Sequence, residues 1–392
     1  MENILLGLVF LILSFFGYSM DKKVFNPLFV VPFLWATLLI LFTILPHSLY
    51  ALDSQFLLAI LIWVLSFTVA GFLTFNFSKS PIMAIDLYNE KIFGIYFYTV
   101  VVFAPIALIS LVVEAMKVGP ELFFLKLRMI NTGLDEDDTF SLGKLGYIFN
   151  FTNVVCLLFT LYYNKISKFK YYVVLFLAFL LGLITLARTS LVVLSISIFV
   201  ILVAKNAIKR KYYFYFIFFF FIFILLVTSL RSIHETEQES SLLETFSIYL
   251  FSGMPAFDEI NYLPTGKVGS NVFRFFYAIL DALGYNTKVE KTILEYVEVP
   301  VPTNVYTVLY PFFKDFGYNG VGFFGIIYGF FYTILYKFYK IKSDFFIMLF
   351  AFFFPYLILQ FFSDYLFLNL STNMQSILFI LFPYLLKNKK RW

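Results

Sequence analysis

Residues 55–75 read QFLLAILIWVLSFTVAGFLTF, a run of 21 positions without one charged side chain. An α-helix rises about 1.5 Å per residue and the hydrocarbon core of a bilayer is about 30 Å thick, so a run of this length reads as a membrane span. Ten further apolar runs lie near residues 2–19, 25–45, 92–115, 145–163, 171–187, 190–204, 212–229, 318–336, 344–362 and 374–386. The expected fold is all-α: a polytopic membrane protein with about 11 transmembrane helices forming a single integral membrane domain over 1–392. Composition agrees, since 61% of the 392 residues are hydrophobic and only 14% are charged, where soluble domains carry about 25% charged residues. The first run resembles a signal-peptide core, but it has no basic start and no small-residue cleavage site, and is read as a span.

Basic residues orient the spans. The loops at 21–23, 78–91, 164–170, 205–211 and 337–342 and the tail 387–391 alternate so as to share one side, and they hold 18 of the 29 Lys and Arg. The positive-inside rule makes that side cytoplasmic, with the N-terminus outside and the C-terminus inside. The net charge of +5 then divides into a basic cytoplasmic face and an acidic outer one. Two outer segments are long enough to fold: 117–144, and a large extracytoplasmic loop over 231–318. The larger holds three apolar stretches too short to span, Leu242–Phe257, Val272–Leu283 and Asn304–Phe313. They read as helices lying on the outer leaflet or partly entering it.

Several chemistries are excluded. Two histidines and one cysteine cannot supply most metal sites or a disulfide framework, so no metal and no cofactor is expected. Gly320, Gly322 and Gly325 spell G-x-G-x-x-G, but a dinucleotide site needs a preceding strand and a water-facing helix N-terminus. Here the match lies inside a span, where Gly322, Gly325 and Gly329 share a helical face and allow close helix approach. No phosphate-binding P-loop motif is present, and nothing points to nucleic acid.

What remains is arginine on the acidic face. Arg128, Arg188, Arg231 and Arg274 fall outside against the positive-inside bias, and the guanidinium fork suits bidentate phosphate binding as lysine does not. Arg188 sits in LARTS (186–190), at a tight hairpin between two spans; snorkelling to the interface is the alternative reading. A second group lies in VPVPTNVYTVLYPFFKDFGYNG (299–320), where prolines flank a short apolar stretch with Asn304 and Tyr306. Irregular backbone at that depth is tolerated only where protein buries it or water fills a cavity. Asp315 is a candidate base or acceptor for a hydroxyl, the alternative being a cap or a pair with Lys314. His234, among Glu235, Glu237 and Glu239, is a second candidate base or an exposed loop residue.

The R-T-S hairpin (188–190), FSGMPAFDEI (251–260), P-T-N-V-Y-T (302–307) and D-F-G-x-x-G (315–320) together resemble the Wzy-type oligosaccharide repeat unit polymerases of O-antigen and capsule. The resemblance implies glycosyl transfer at the outer face of the inner membrane. A glycan on undecaprenyl diphosphate moves to the non-reducing end of another lipid-linked repeat unit. It also implies membrane lipids, a chain-length regulator and a flippase as partners. On this reading Arg188, Arg231, Arg274 and Arg128 bind substrate phosphate, Asp315 or His234 assists the acceptor, and Asn304 and Tyr306 contact sugar. One family pattern is missing: R-x10-G would place glycine eleven residues after an arginine, and the residues there are Phe199, Leu242 and Tyr285. A lipid-linked glycan flippase or transporter, an O-antigen ligase and a scaffold subunit are the competing readings.

Overall fold

The computed structural model describes residues 2–77, 85–117, 119, 123, 126–127, 146–184, 188–209, 211–213, 215, 242–262, 268–291 and 294–386. Its helices are α1 (Glu2–Met20), α2 (Pro27–Ile44), α3 (Ser54–Phe77), α4 (Glu90–Met116), α5 (Tyr147–Leu161), α6 (Lys168–Ile184) and α7 (Arg188–Ala204). The chain continues through α8 (Leu242–Phe251), α9 (Gly253–Asp258), α10 (Arg274–Ala282), α11 (Tyr310–Lys340), α12 (Asp344–Ile358) and α13 (Leu370–Leu385). The only strands among the described residues, β1 (Val297–Glu298) and β2 (Pro302–Thr303), form an antiparallel pair. The protein is thus an all-α polytopic membrane protein. Ten of the eleven expected spans fall on helices, and the remaining one, 212–229, lies almost wholly outside the described residues. Among the described residues, six helices are long and apolar enough to cross a membrane, and three shorter apolar ones accompany them.

Local sequence explains the helix ends. Pro27 needs no N–H partner at the first position of α2, and the Asn26 side chain accepts from Leu28 N at 3.1 Å. The Asn26 amide in turn donates to Gly17 O at 2.8 Å, which fastens the α1–α2 connection. On α1, Leu5, Ile12 and Phe15 are 65%, 70% and 73% exposed, an apolar surface that suits lipid rather than water.

The chain divides into two compact units. The first holds α1–α3, α8–α11 and Tyr356–Ser371. At one end, Lys340 Nζ pairs with Asp21 Oδ2 at 2.7 Å, Tyr336 donates to the same oxygen at 2.9 Å, and Lys337 donates to Phe75 O at 2.9 Å. This is the basic end. In its interior α3 and α11 lie in close contact: a Cβ added at Gly329 would meet Phe67 O at 2.3 Å, and one at Gly325 would meet Trp63 O at 3.2 Å. Gly325, from the rejected nucleotide motif, and Gly329 therefore serve helix packing. Trp63 stacks on Phe312 with centroids 5.6 Å apart, and both indoles of Trp35 and Trp63 donate to Gln360 Oε1, at 3.2 and 3.1 Å.

The second unit holds α4–α7, residues Ile341–Pro355 and α13. Tyr96 donates to Phe379 O at 2.8 Å, and Asn150 donates to Thr372 O at 3.3 Å, joining α4 and α5 to α13. At one end the Tyr162 hydroxyl lies 2.8 Å from both Asp86 Oδ1 and Asp344 Oδ2, and Lys205 pairs with Asp344.

One expectation is corrected. Asn304–Phe313 is not a helix throughout: Thr303 belongs to β2, residues 304–307 are irregular, and helix begins only at Tyr310. The Thr303 hydroxyl accepts from Val305 N at 3.2 Å and that of Thr307 from Leu309 N at 3.4 Å, local bonds that compete with helix.

The start of α3 is capped from a distance. Asp258, at the end of α9, accepts from Asp53 N at 2.9 Å and Phe56 N at 2.7 Å, while Gln55 Nε2 donates to Phe257 O and Ile260 O, each at 3.0 Å. Burial pushes the Asp258 carboxyl up to about 6, the two backbone N–H bonds opposing it and Asp53 and Glu259 adding to it. A carboxyl raised in the folded state binds its proton more tightly there, so its contribution to stability falls as pH rises from about 4 to about 6. The melting temperature of the wild type in detergent, minus that of Asp258→Asn, is expected to fall over this window and level off above it. A rising difference would mean that the backbone bonds outweigh burial. Gly329→Ala is expected to cost about 1–3 kcal/mol by overpacking, read as a lower melting temperature and loss of the monodisperse peak. Gly94→Ala, with nothing within 4 Å, should behave as wild type.

Candidate functional site

At the end of the first unit away from Lys340, the loops gather the polar groups. β1 and β2 pair Val297 with Thr303 and Glu298 with Pro302, and Tyr50 N donates to Val299 O at 3.3 Å, tying the α2–α3 connection to this hairpin. Ser252, between α8 and α9, shares a 3.3 Å hydrogen bond with the Thr303 hydroxyl. FSGMPAFDEI and PTNVYT are thereby brought into one layer.

Asp315 lies on the short piece of α11 that precedes Gly317. That glycine has φ 61° and ψ −151°, a conformation open to glycine and closed to most other residues, and the helix breaks there. The break turns Asp315 toward the loop before α10. Its carboxylate accepts from Asn271 N at 3.0 Å, Asn271 Nδ2 at 2.6 Å and Val272 N at 2.8 Å. Both oxygens are engaged, and the turn they hold leads two residues later into Arg274, the first residue of α10. Lys314 does not pair with Asp315 among the contacts described; it donates to Asn261 O at 3.1 Å.

Arg274 Nε donates to Glu290 O at 2.5 Å. Its guanidinium is half-buried, and burial lowers its pKa from the ordinary value, a direction that raises the worth of any anion placed beside it. Tyr306 is buried, donates to Glu295 O at 3.1 Å, and packs on Tyr310 with ring centroids 4.7 Å apart. Burial raises its hydroxyl pKa, with Glu295 and Glu259 adding to the effect. Arg274 and Tyr306 are thus anchored on the carbonyls of one segment, Glu290 and Glu295, and half-buried Asn304 sits two residues before Tyr306.

Of the residues singled out from sequence, Arg274, Asn304, Tyr306 and Asp315 share this end of the first unit. Arg128, Arg231 and His234 lie outside the described residues, as does most of 117–144. Arg188 opens α7 in the second unit, and its side chain is outside the description. Among the described residues no group of three His, Cys, Asp or Glu side chains is placed to hold a metal ion.

Sequence reasoning missed three residues. Asp258 caps α3. His47 hydrogen-bonds Phe42 O at 2.7 Å through Nε2, and its ring lies 4.3 Å from that of Phe42. Asp364 is 1% exposed and receives the Tyr328 hydroxyl. The one signal for Asp364 was a lone carboxylate in FFSDYLF (361–367), which reads as a turn between spans.

No curated protein and no solved structure gives a significant match. The family model described as "Putative O-antigen polymerase" matches residues 23–361, which covers α2 to the end of the turn after α12 and includes the whole polar layer described above. The chain belongs to the O-antigen polymerase family.

Proposed function

We propose that this polymerase joins undecaprenyl-diphosphate-linked oligosaccharide repeat units into a surface polysaccharide at the outer face of the bacterial inner membrane. The observation that carries the reading is the placement of Arg274 by Asp315 and Glu290 beside the Tyr306 layer, in a chain matched to the family along most of its length. In the reaction an acceptor hydroxyl oxygen bonds to the donor's anomeric carbon while that carbon's bond to the diphosphate oxygen breaks. Negative charge develops on the phosphate, and fixed guanidinium groups stabilise it. Arg274 takes this role, with Arg188, Arg231 and Arg128 as the further arginines proposed to contact diphosphate. Asn304 and Tyr306 meet the sugars.

The acceptor's proton passes to a carboxylate or an imidazole, for which Asp315 and His234 are the proposed residues. Asp315 would have to exchange one of its Asn271 or Val272 bonds for the hydroxyl, so its holding of the Arg274 turn is the role closest to its present geometry. The donor is already activated, so no nucleotide sugar is required. The positive-inside distribution, with 18 of 29 basic residues on one set of loops, supports the outer-face placement.

Loss of the gene should leave a single repeat unit on the lipid carrier when surface glycan is resolved on a gel. A normal ladder in the deletion strain would overturn the reading; no outer-face product at all would indicate a flippase, and long chains retained on the carrier a ligase. Arg274→Lys is expected to lower the polymerisation rate about a hundredfold, the scale of one lost transition-state donor, and Arg188→Lys to shorten the ladder. Unchanged polymer in either variant would remove that arginine from the site.

A further inference from the structure

Among the described residues, two of the buried polar atoms without a partner, Gln360 Nε2 and Asp364 Oδ2, belong to one connection of the first unit. Tyr328 lies twelve residues before Lys340 on α11, about 18 Å along the helix axis from the basic end. The hydrocarbon core is about 30 Å thick, so the Tyr328 hydroxyl and the Asp364 carboxyl that receives it lie within membrane depth. An ionisable side chain there is costly and marks function by default.

The hydrogen bonds around it do not close within the protein. Asp364 Oδ1 accepts from the Tyr328 hydroxyl, from Leu366 N at 2.9 Å and from Phe367 N at 3.2 Å, while Oδ2 is buried with no partner among the described residues. Gln360, which is 0% exposed, accepts both indoles on Oε1 and Val308 N on its main-chain oxygen at 2.7 Å. Its amide nitrogen, with two N–H groups to give, has no partner there either. Flipping the amide does not help, since it would set NH2 against two indole donors. Protonating Asp364 does not help, since an O–H on Oδ2 needs an acceptor and Gln360 offers only donors.

The orphan donor and the orphan acceptor are four residues apart on one connection, and both are held to the same aromatic pair. Trp63 binds Gln360, Tyr328 binds Asp364, and the Trp63 and Tyr328 rings meet edge to face at 4.9 Å. What fits such a pair is a small group that accepts one hydrogen bond and donates another.

We propose that Gln360 and Asp364 form a binding site for a hydroxyl group inside the first unit, its oxygen accepting from Gln360 Nε2 and its hydrogen donated to Asp364 Oδ2. Two sources carry this chemistry, a single water molecule and a sugar hydroxyl of the lipid-linked substrate, and only the second rests on the polymerase reading above. Val308 N on Gln360 O joins the site directly to the segment after Asn304 and Tyr306.

The test is a density map of the full chain in nanodiscs, at a resolution that shows ordered water, recorded without substrate and again with an undecaprenyl-diphosphate-linked repeat unit. Density within hydrogen-bonding distance of both atoms in the substrate-free protein identifies water. Density that appears only with the repeat unit, and is continuous with it, identifies the sugar. No density at both atoms in either map overturns the site, whatever the deletion strain's glycan ladder shows. In Asp364→Asn the amide that replaces Oδ2 is a donor, so the density is expected to be lost; unchanged density would overturn Asp364 as the acceptor. A normal melting temperature for this variant separates that loss from misfolding.

Discussion

A single side-chain oxygen, Gln360 Oε1, receives the indole N–H groups of both Trp35 and Trp63, and the interior of the first unit is organised around it. Each indole is wholly buried, and a buried donor left without a partner costs about 1–3 kcal/mol. Satisfying both from one acceptor fixes the facing rotation of α2 and α3. The same residue's main-chain oxygen takes Val308 N, so the β2–α11 connection is set against that junction as well. Phe312 then completes the contact, lying 5.6 Å from Trp63 and 5.9 Å from Tyr328. Without Gln360 these elements would share only apolar surface, which has little directional content in lipid.

Carboxylates do the corresponding work at the polar end. Asp258 binds the start of α3, and Asp315 binds the turn before α10. In both cases an acidic side chain satisfies main-chain N–H groups that irregular segments leave open. These two carboxylates are therefore structural. Arg274 itself donates to a carbonyl, Glu290 O.

Hydropathy made the spans legible because the bilayer imposes one length and one polarity on every segment that crosses it, and residues 55–75 satisfy both without context. That α11 carries a face for close helix approach could also be read, since Gly322, Gly325 and Gly329 repeat on one helical face, whereas its partner α3 is known only from the structure. The stretch Asn304–Leu309 could not: its apolar content resembled a short helix, while the hydroxyls of Thr303 and Thr307 fold it locally. Asp258, Gln360 and Asp364 were silent for a different reason. Each derives its meaning from partners distant in sequence, up to 325 residues for Gln360 and Trp35, and a lone polar letter carries no trace of them. The arginines were legible as chemistry but not as geometry; of the four, Arg274 alone has a described side chain.

The break at Gly317 separates two parts of α11 that answer to different demands. Beyond it, the rod from Tyr318 to Lys340 must match a bilayer of fixed thickness and keep its glycines against α3. Before it, Tyr310–Phe316 follows the loops it binds, through Asp315 and Lys314. Because the backbone at the glycine is not helical and the chain kinks there, substitutions on the loop side are expected to be absorbed at the kink before they rotate the rod. A lineage can therefore vary the loop-facing end of this helix while its membrane-embedded part stays unchanged, which gives the fold a means of remodelling its polar layer without rebuilding its core.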